Sequence, residues 1–388
     1  MDHSGNYTDY SLNELIDARA KVSDDAENAA HLDQLIAQKR AQQEQEQATE
    51  VTMKFHGTTG EYYPIWIVNL LLSIVTLGIY SAWAKVRTQR YFFANTEIDN
   101  HRFVYLAQPM QILKGRLIAL AVFAGFFFLS TLSPVLSLLF MVFWLAALPW
   151  LVCKSMQFNL RMTAYRNIRF NFHGQYGRAL LVFVVYPILS AFTLYLTMPM
   201  ALKTIDEFLY ENISYGDKRI KSKLGYSSYY KAAFGAFAMA LVIFFLGFVI
   251  FAPNVDQFAE PVQTPALTFQ LGLMATYLAV FIVAGSFYTK VIRNHIFANS
   301  QLEDIANFKS TVNLGPLIAL RATNLLALIG TLGLALPWVK IRNSRYFCQQ
   351  TQIQVLPGAN AVVADQEKGA NAIGDEVSEI FDVDIAIT

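Results

Sequence analysis

The chain has 388 residues, 54% of them hydrophobic and 15% charged, with a formal net charge of +1. This composition, with a mean hydropathy of +0.34, excludes a pair of ordinary soluble domains and points to the membrane class. The charge is unevenly spread: residues 1–50 carry −7, residues 357–388 carry −6, and residues 51–356 carry +14.

Residues 1–50 are rich in Gln, Glu, Asp and Ala. The stretch from Ser11 to Lys39 suits a helix, with Ser11 and Glu14 spaced for a capping box. It lacks a wide apolar stripe and reads as a mobile acidic appendage. No basic segment followed by a short apolar run precedes it, so the first apolar helix is expected to act as an uncleaved insertion signal.

Apolar runs near the ~20 residues needed to span a bilayer fall at 62–84, 116–133, 135–153, 178–202, 231–252, 266–288 and 314–338. None contains Asp or Glu. Trp66, Trp83, Trp150 and Trp338 sit near run ends, where indoles favour the headgroup level. Lys85, Lys154, Lys203, Lys290 and Lys340 follow five of the runs. Bases placed this way suit anionic lipid headgroups; nucleic acid would require a soluble basic face and is not expected. The acidic tail after Pro357 closes the chain, and Ile380, Phe381, Val383, Ile385 and Ile387 within it suit a short strand.

An internal repeat dominates the pattern. Thr76 to Phe92 reads TLGIYSAWAKVRTQRYF, and Thr331 to Phe347 reads TLGLALPWVKIRNSRYF, identical at nine of seventeen positions. Asn69 and Asn324 keep the same offset upstream. FHG recurs at Phe55–Gly57 and Phe172–Gly174, and FFANTEIDNHRF (Phe92–Phe103) resembles IFANSQLEDIANF (Ile296–Phe308). The parts are then an acidic appendage (1–50), two membrane repeats (51–171 and 172–308), a partial third (309–356) and an acidic tail (357–388).

Two arrangements satisfy this period. Single spans between linkers put successive linkers on opposite faces and make the periods inverted repeats. Alternatively each single run breaks near Thr76-Leu-Gly and Thr331-Leu-Gly into two half-helices, so that all linkers lie on one face and share a sheet. Runs of ~25 residues are too short to cross twice at ~1.5 Å per residue, so this second arrangement requires re-entrant hairpins; the inverted arrangement is favoured. The expected fold is an all-α polytopic membrane protein, with about seven transmembrane helices in internal repeats, short β-containing linkers and disordered acidic termini.

The segments FHGTTGEYYPIWIVN and TLGIYSAWAKVRTQRYF resemble the signature of the YjgN-like family of bacterial inner-membrane proteins. The resemblance covers residues 51–356 and implies a multi-pass protein of the bacterial plasma membrane whose role is uncharacterised. The R-x-x-R-Y-F element is missing after Lys154 and Lys203, which restricts any role for it to the first and last copies.

On a helix, Trp83, Arg87 and Arg90 share one face, as do Trp338, Arg342 and Arg345. An indole beside two guanidiniums suits an anionic headgroup or ligand, because Arg forks match phosphate oxygens; an interfacial anchor is the plainer reading. Asn69, Thr76, Asn324 and Thr331 are candidate polar residues at a repeat interface, since buried amides in hydrocarbon require partners. They serve helix packing or, less plainly, a polar pathway. His56 and His173 have no second ligand beside them and read as structural; Cys153 and Cys348 match no metal spacing. No metal or cofactor is expected. No nucleophile elbow, Walker loop or carboxylate pair supports an enzyme, and the lack of embedded acids weakens a proton-driven pump. The function classes left are a transport or channel-like protein built on inverted repeats, and a non-transporting scaffold that contacts anionic lipid.

Overall fold

The computed structural model describes residues 10–21, 26–46, 48–251 and 267–357. Ser11 caps helix α1 (Leu12–Lys21): its backbone N–H and its hydroxyl both donate to Glu14 Oε2, at 2.7 and 2.8 Å. α2 (Ala26–Glu46) follows. The strand expected among residues 380–387 lies outside the described residues.

The main body is not all-α. It carries an 11-stranded, wholly antiparallel sheet in the order β1-β11-β10-β9-β8-β7-β6-β5-β4-β3-β2. Its first two strands, β1 (Thr49–Thr52) and β2 (Lys54–Phe55), are consecutive pieces of one extended segment broken at Met53. β1 pairs with β11 (Thr351–Val355) and β2 with β3 (Thr96–Ile98), so the chain itself joins the two ends of the sheet into a ring. The other strands are β4 (His101–Tyr105), β5 (Thr163–Tyr165), β6 (Ile168–Phe172), β7 (Ile213–Tyr215), β8 (Lys218–Ser222), β9 (Ser300–Leu302) and β10 (Ala306–Ser310).

These strands form tight hairpins because their turns hold residues that tolerate left-handed backbone. Asp99-Asn100 joins β3 to β4 with φ of 46° and 59°, Arg166-Asn167 joins β5 to β6 with 47° and 64°, and Gly216 opens the β7–β8 turn at 58°. Inside the ring, Tyr215, Leu302, Ile305, Ala306 and Ile353 pack with Tyr165, Ile168 and Phe170. Tyr215 Oη donates to the Tyr165 carbonyl at 2.9 Å, and Tyr165 Oη to that of Ile98 at 2.7 Å. The lumen is a filled core, as expected for a small barrel.

Each gap between β-hairpins is bridged, on the opposite rim, by a helical hairpin. The five are α3 (Thr59–Val75) with α4 (Ser81–Ala94); α5 (Pro109–Leu132) with α6 (Pro134–Arg161); α7 (Tyr176–Leu180), a π-turn (Leu181–Val185) and α8 (Tyr186–Phe192) with α9 (Met198–Glu211); α10 (Tyr226–Phe251) with α11 (Leu267–Ala298); and α12 (Leu314–Gly330) with α13 (Leu336–Gln349). One backbone bond recurs in all five. The residue after the incoming strand donates to the cap of the returning helix: His56 to Asn95 at 2.9 Å, Leu106 to Met162 at 2.8 Å, His173 to Asn212 at 2.9 Å, Lys223 to Asn299 at 3.1 Å and Thr311 to Gln350 at 2.9 Å. The unit of the fold is therefore one helical and one β-hairpin, repeated around a ring.

Seven spans and inverted repeats are both corrected by this architecture. Among the described residues four helices are long and apolar enough to cross a membrane, in the second and fourth hairpins. The runs at 62–84, 178–202 and 314–338 fold back on themselves instead. They are the re-entrant hairpins that the second arrangement requires. From Thr76 to Lys85 the returning arm rises only ~13 Å, under half of the ~30 Å hydrocarbon core, too short an arm to cross it.

A turn in hydrocarbon must satisfy its own polar groups, and the repeated Thr does so. Thr76 Oγ1 donates to the Leu72 carbonyl at 2.7 Å and accepts from Tyr80 N at 2.9 Å. Thr331 repeats this with Ala327 at 2.6 Å and Ala335 at 2.9 Å. Gly78 and Gly333, at φ of 92° and 88°, turn the chain, and their N–H groups reach Ser73 and Leu328 at 2.7 and 2.8 Å. The third hairpin has the same tip in disguise: Thr193-Leu-Tyr-Leu-Thr197, with Leu194 and Tyr195 at φ of 51° and 63°. Its Tyr195 N–H reaches Ser190 at 2.8 Å, and the Thr193 and Thr197 hydroxyls meet at 2.8 Å.

Candidate headgroup interface

The rim where helices meet strands carries the basic and aromatic residues singled out from sequence. In the fifth hairpin Arg342 lies over the Trp338 ring, 4.9 Å from its centroid, and its Nη1 donates to Asn324 Oδ1 at 3.1 Å and to the Thr323 hydroxyl. Asn324 in turn donates to Asn343 Oδ1 at 2.8 Å. In the first hairpin Trp83 stacks on Tyr80 at 6.1 Å and Arg87 is exposed. Buried Asn69 donates to the Ala84 carbonyl at 3.4 Å. Asn69 and Asn324 thus each tie the two arms of their own hairpin and are not brought together. Thr76 and Thr331 stand at separate tips.

Arg90 and Arg345 do something the linear motif does not reveal. Each lies five residues before its helix cap and reaches the next hairpin around the ring. Arg90 Nη2 donates to the Ala107 carbonyl at 2.9 Å, and Arg345 Nη2 to that of Gly57 at 3.1 Å, which seals the last hairpin to the first. Asn294 holds the same place in the fourth hairpin and bonds Val312 through both its amide groups, at 3.0 and 3.2 Å. In the third, Glu207 accepts from Leu224 N at 3.4 Å.

The third hairpin also departs in its core. Ten residues beyond the tip Thr, the first and fifth hairpins bury Val86 and Ile341, each 2% exposed, whereas the third buries Lys203 at 6%. The ammonium is held by Glu207, one turn later, at 2.5 Å and lies 4.5 Å from the Tyr226 ring centroid. Next to it, Tyr229 Oη donates to Asp206 Oδ2 at 2.6 Å. Burial pushes the Asp206 carboxyl above its ordinary range, against the pull of that hydrogen bond. Lys203 was visible in the sequence only as a boundary lysine. Aligning the three Thr-Leu tips would have revealed its odd position.

His56 Nε2 lies 3.0 Å from Glu97 Oε2, and His173 Nε2 lies 3.0 Å from Ser214 Oγ. Among the described residues no group of three or more His, Cys, Asp or Glu converges as a metal set would. Cys153 and Cys348 are free and buried.

With this geometry in view, comparison with known proteins decides the family. The model of the family described as "Bacterial protein of unknown function (DUF898)" matches residues 50–380. The chain belongs to this family. Its relatives include the inner membrane protein YjgN of Escherichia coli O157:H7, 28% identical over 344 residues that cover 74% of this chain and 84% of the relative. YjgN of Escherichia coli strain K12 is 27% identical over 347 residues, with the same coverage. YjgN of Salmonella typhimurium is 25% identical over 349 residues, covering 78% and 88%. No solved structure matches. The protein is a multi-pass protein of the bacterial inner membrane.

Proposed function

We propose that this protein is a membrane-embedded platform that holds its β-ring at the cytoplasmic leaflet and contacts anionic phospholipid headgroups. The observation that carries the reading is the distribution of bases against the ring. No Lys or Arg occurs between Arg116 and Lys154, or between Lys231 and Lys290, the stretches that hold the two crossing hairpins; the three short hairpins likewise carry none from 55 to 84, 179 to 202 or 322 to 339. With the bases of residues 51–356 concentrated toward the ring ends of the helices, the positive-inside rule favours a cytoplasmic ring. Linkers on opposite faces would divide these bases between the two sides, whereas a shared sheet gathers them on one.

Transport has less support. It rested on inverted repeats, whereas these repeats all enter from the same face, and the ring interior is packed with aromatic and aliphatic side chains. The platform reading includes no catalytic step.

The test is lipid contact. In proteoliposomes, brominated phosphatidylglycerol is expected to quench tryptophan fluorescence more than brominated phosphatidylcholine, and the excess is expected to fall with added salt. Equal quenching by the two lipids would remove the headgroup reading. Solute flux above that of empty vesicles, lost in Asn69→Leu, would restore transport.

A further inference from the structure

Four of the five junctions between neighbouring hairpins are bridged by the side chain five residues before the helix cap, as described for Arg90, Glu207, Asn294 and Arg345. In the second hairpin that place belongs to Gln157, whose Oε1 is taken by Lys154 Nζ at 3.2 Å. Beside Gln157 the junction opens into a cavity of about 630 Å³ lined by Trp150, Lys154, His173, Arg178 and Arg219 among others. Gly174, the counterpart of Gly57 and Ala107, also forms part of its wall.

The charges facing this space are unbalanced. Lys154 comes from α6, Arg178 from α7 and Arg219 from β8, so three elements deliver one cation each. The nearby carboxylate, Glu211, lies 3.5 Å from Arg178. Trp150 and Lys154 sit where the apolar part of α6 gives way to polar residues, the place on a crossing helix that suits headgroups.

We infer that this open junction is a binding site for a phosphate-bearing anion, a specific subsite that rests on the platform reading. Arg178 and Arg219 supply guanidinium forks for phosphate oxygens, Lys154 supplies a point charge, and Trp150 packs beside the glycerol or acyl portion of a lipid. The fold closes this place elsewhere with a side chain that reaches the next hairpin, whereas Gln157 is engaged by Lys154 on its own helix and leaves it open here.

The repeat supplies the decisive variant. Gln157→Arg installs the residue that closes the first and fifth junctions; it adds a positive charge yet should shut the cavity on the Gly174 carbonyl. In native mass spectrometry of the full-length protein with dioleoyl phosphatidylglycerol, the wild type is expected to retain a lipid that Gln157→Arg loses. Lys154→Gln with Arg178→Gln should lose it too, with occupancy down roughly tenfold, while Lys154→Arg with Arg178→Lys keeps it. Displacement of the lipid by inorganic phosphate would assign the site to phosphate itself; retention against phosphate would assign it to the whole lipid headgroup. Unchanged or increased occupancy in Gln157→Arg, with unchanged occupancy in the double variant, would overturn the inference. That result would leave the general headgroup reading standing, because quenching by brominated phosphatidylglycerol tests it separately.

Discussion

Replacing Lys203 by isoleucine gives the third hairpin the aliphatic core residue that the fifth carries at Ile341. In isolation the change should be damaging. Lys203 and Glu207 have side chains only 7% and 19% exposed, and removing one partner of a buried pair costs about 3–5 kcal/mol, because the remaining charge stays desolvated. Glu207 keeps the Leu224 N–H and some contact with solvent, so the cost should lie near 3 kcal/mol. Adding Glu207→Arg then completes the transplant. The arginine can reach the Leu224 carbonyl as Arg90 reaches Ala107, and the double variant should recover to within about 1 kcal/mol of the wild type, since well-packed apolar replacements of buried pairs are often neutral. Equilibrium unfolding in detergent, run as a double-mutant cycle, reads both steps. Lys203→Ile as stable as the wild type, or a double variant no better than the single, would refute the equivalence of the three short hairpins.

The tip threonines give a second test. Thr331→Val should destabilise by about 1–3 kcal/mol because Ala335 N–H loses its acceptor within the bilayer, whereas Thr331→Ser should stay close to the wild type; the same unfolding assay measures both. Asp206 gives a pH test. An acid whose folded pKa is raised favours the folded state where it is protonated, so its contribution is present at acid pH, below the ordinary value near 3.9, and is lost as pH rises through the raised native value. Asp206→Asn should therefore match the wild type at acid pH and exceed it at neutral pH in thermal melts; a variant less stable at neutral pH would contradict that sign.

The sequence was legible where the repeat conserved its letters and misleading where length was the criterion. Asn69, Thr76, Gly78, Trp83, Lys85, Arg87 and Arg90 recur 255 residues on, and both copies fall in short helical hairpins. The competing arrangement, with broken runs as re-entrant hairpins and a shared sheet, was also readable, but the linear pattern of runs and linkers suits single spans equally well. The third hairpin escaped notice because Tyr195 replaces the glycine and Met200-Ala201-Leu202 stands where Trp-x-Lys is expected. Strands of two to five residues are too short to show alternation, although Asp99-Asn100 and Gly216-Asp217 are ordinary hairpin signals. The cavity could not be seen at all, since it follows from what Gln157 fails to reach on a neighbour brought next to it by the ring.

The most direct test of the ring is its sidedness. With Cys153 and Cys348 replaced by serine, single cysteines at Asn100 and Asp217, in two different β-turns, and at Ser133, in the turn between α5 and α6, can be probed with an impermeant thiol reagent in spheroplasts before and after lysis. Labelling is expected at position 133 in intact spheroplasts, and at positions 100 and 217 only after lysis. Labelling of 100 and 217 from opposite sides would contradict the shared sheet and return the protein to inverted repeats.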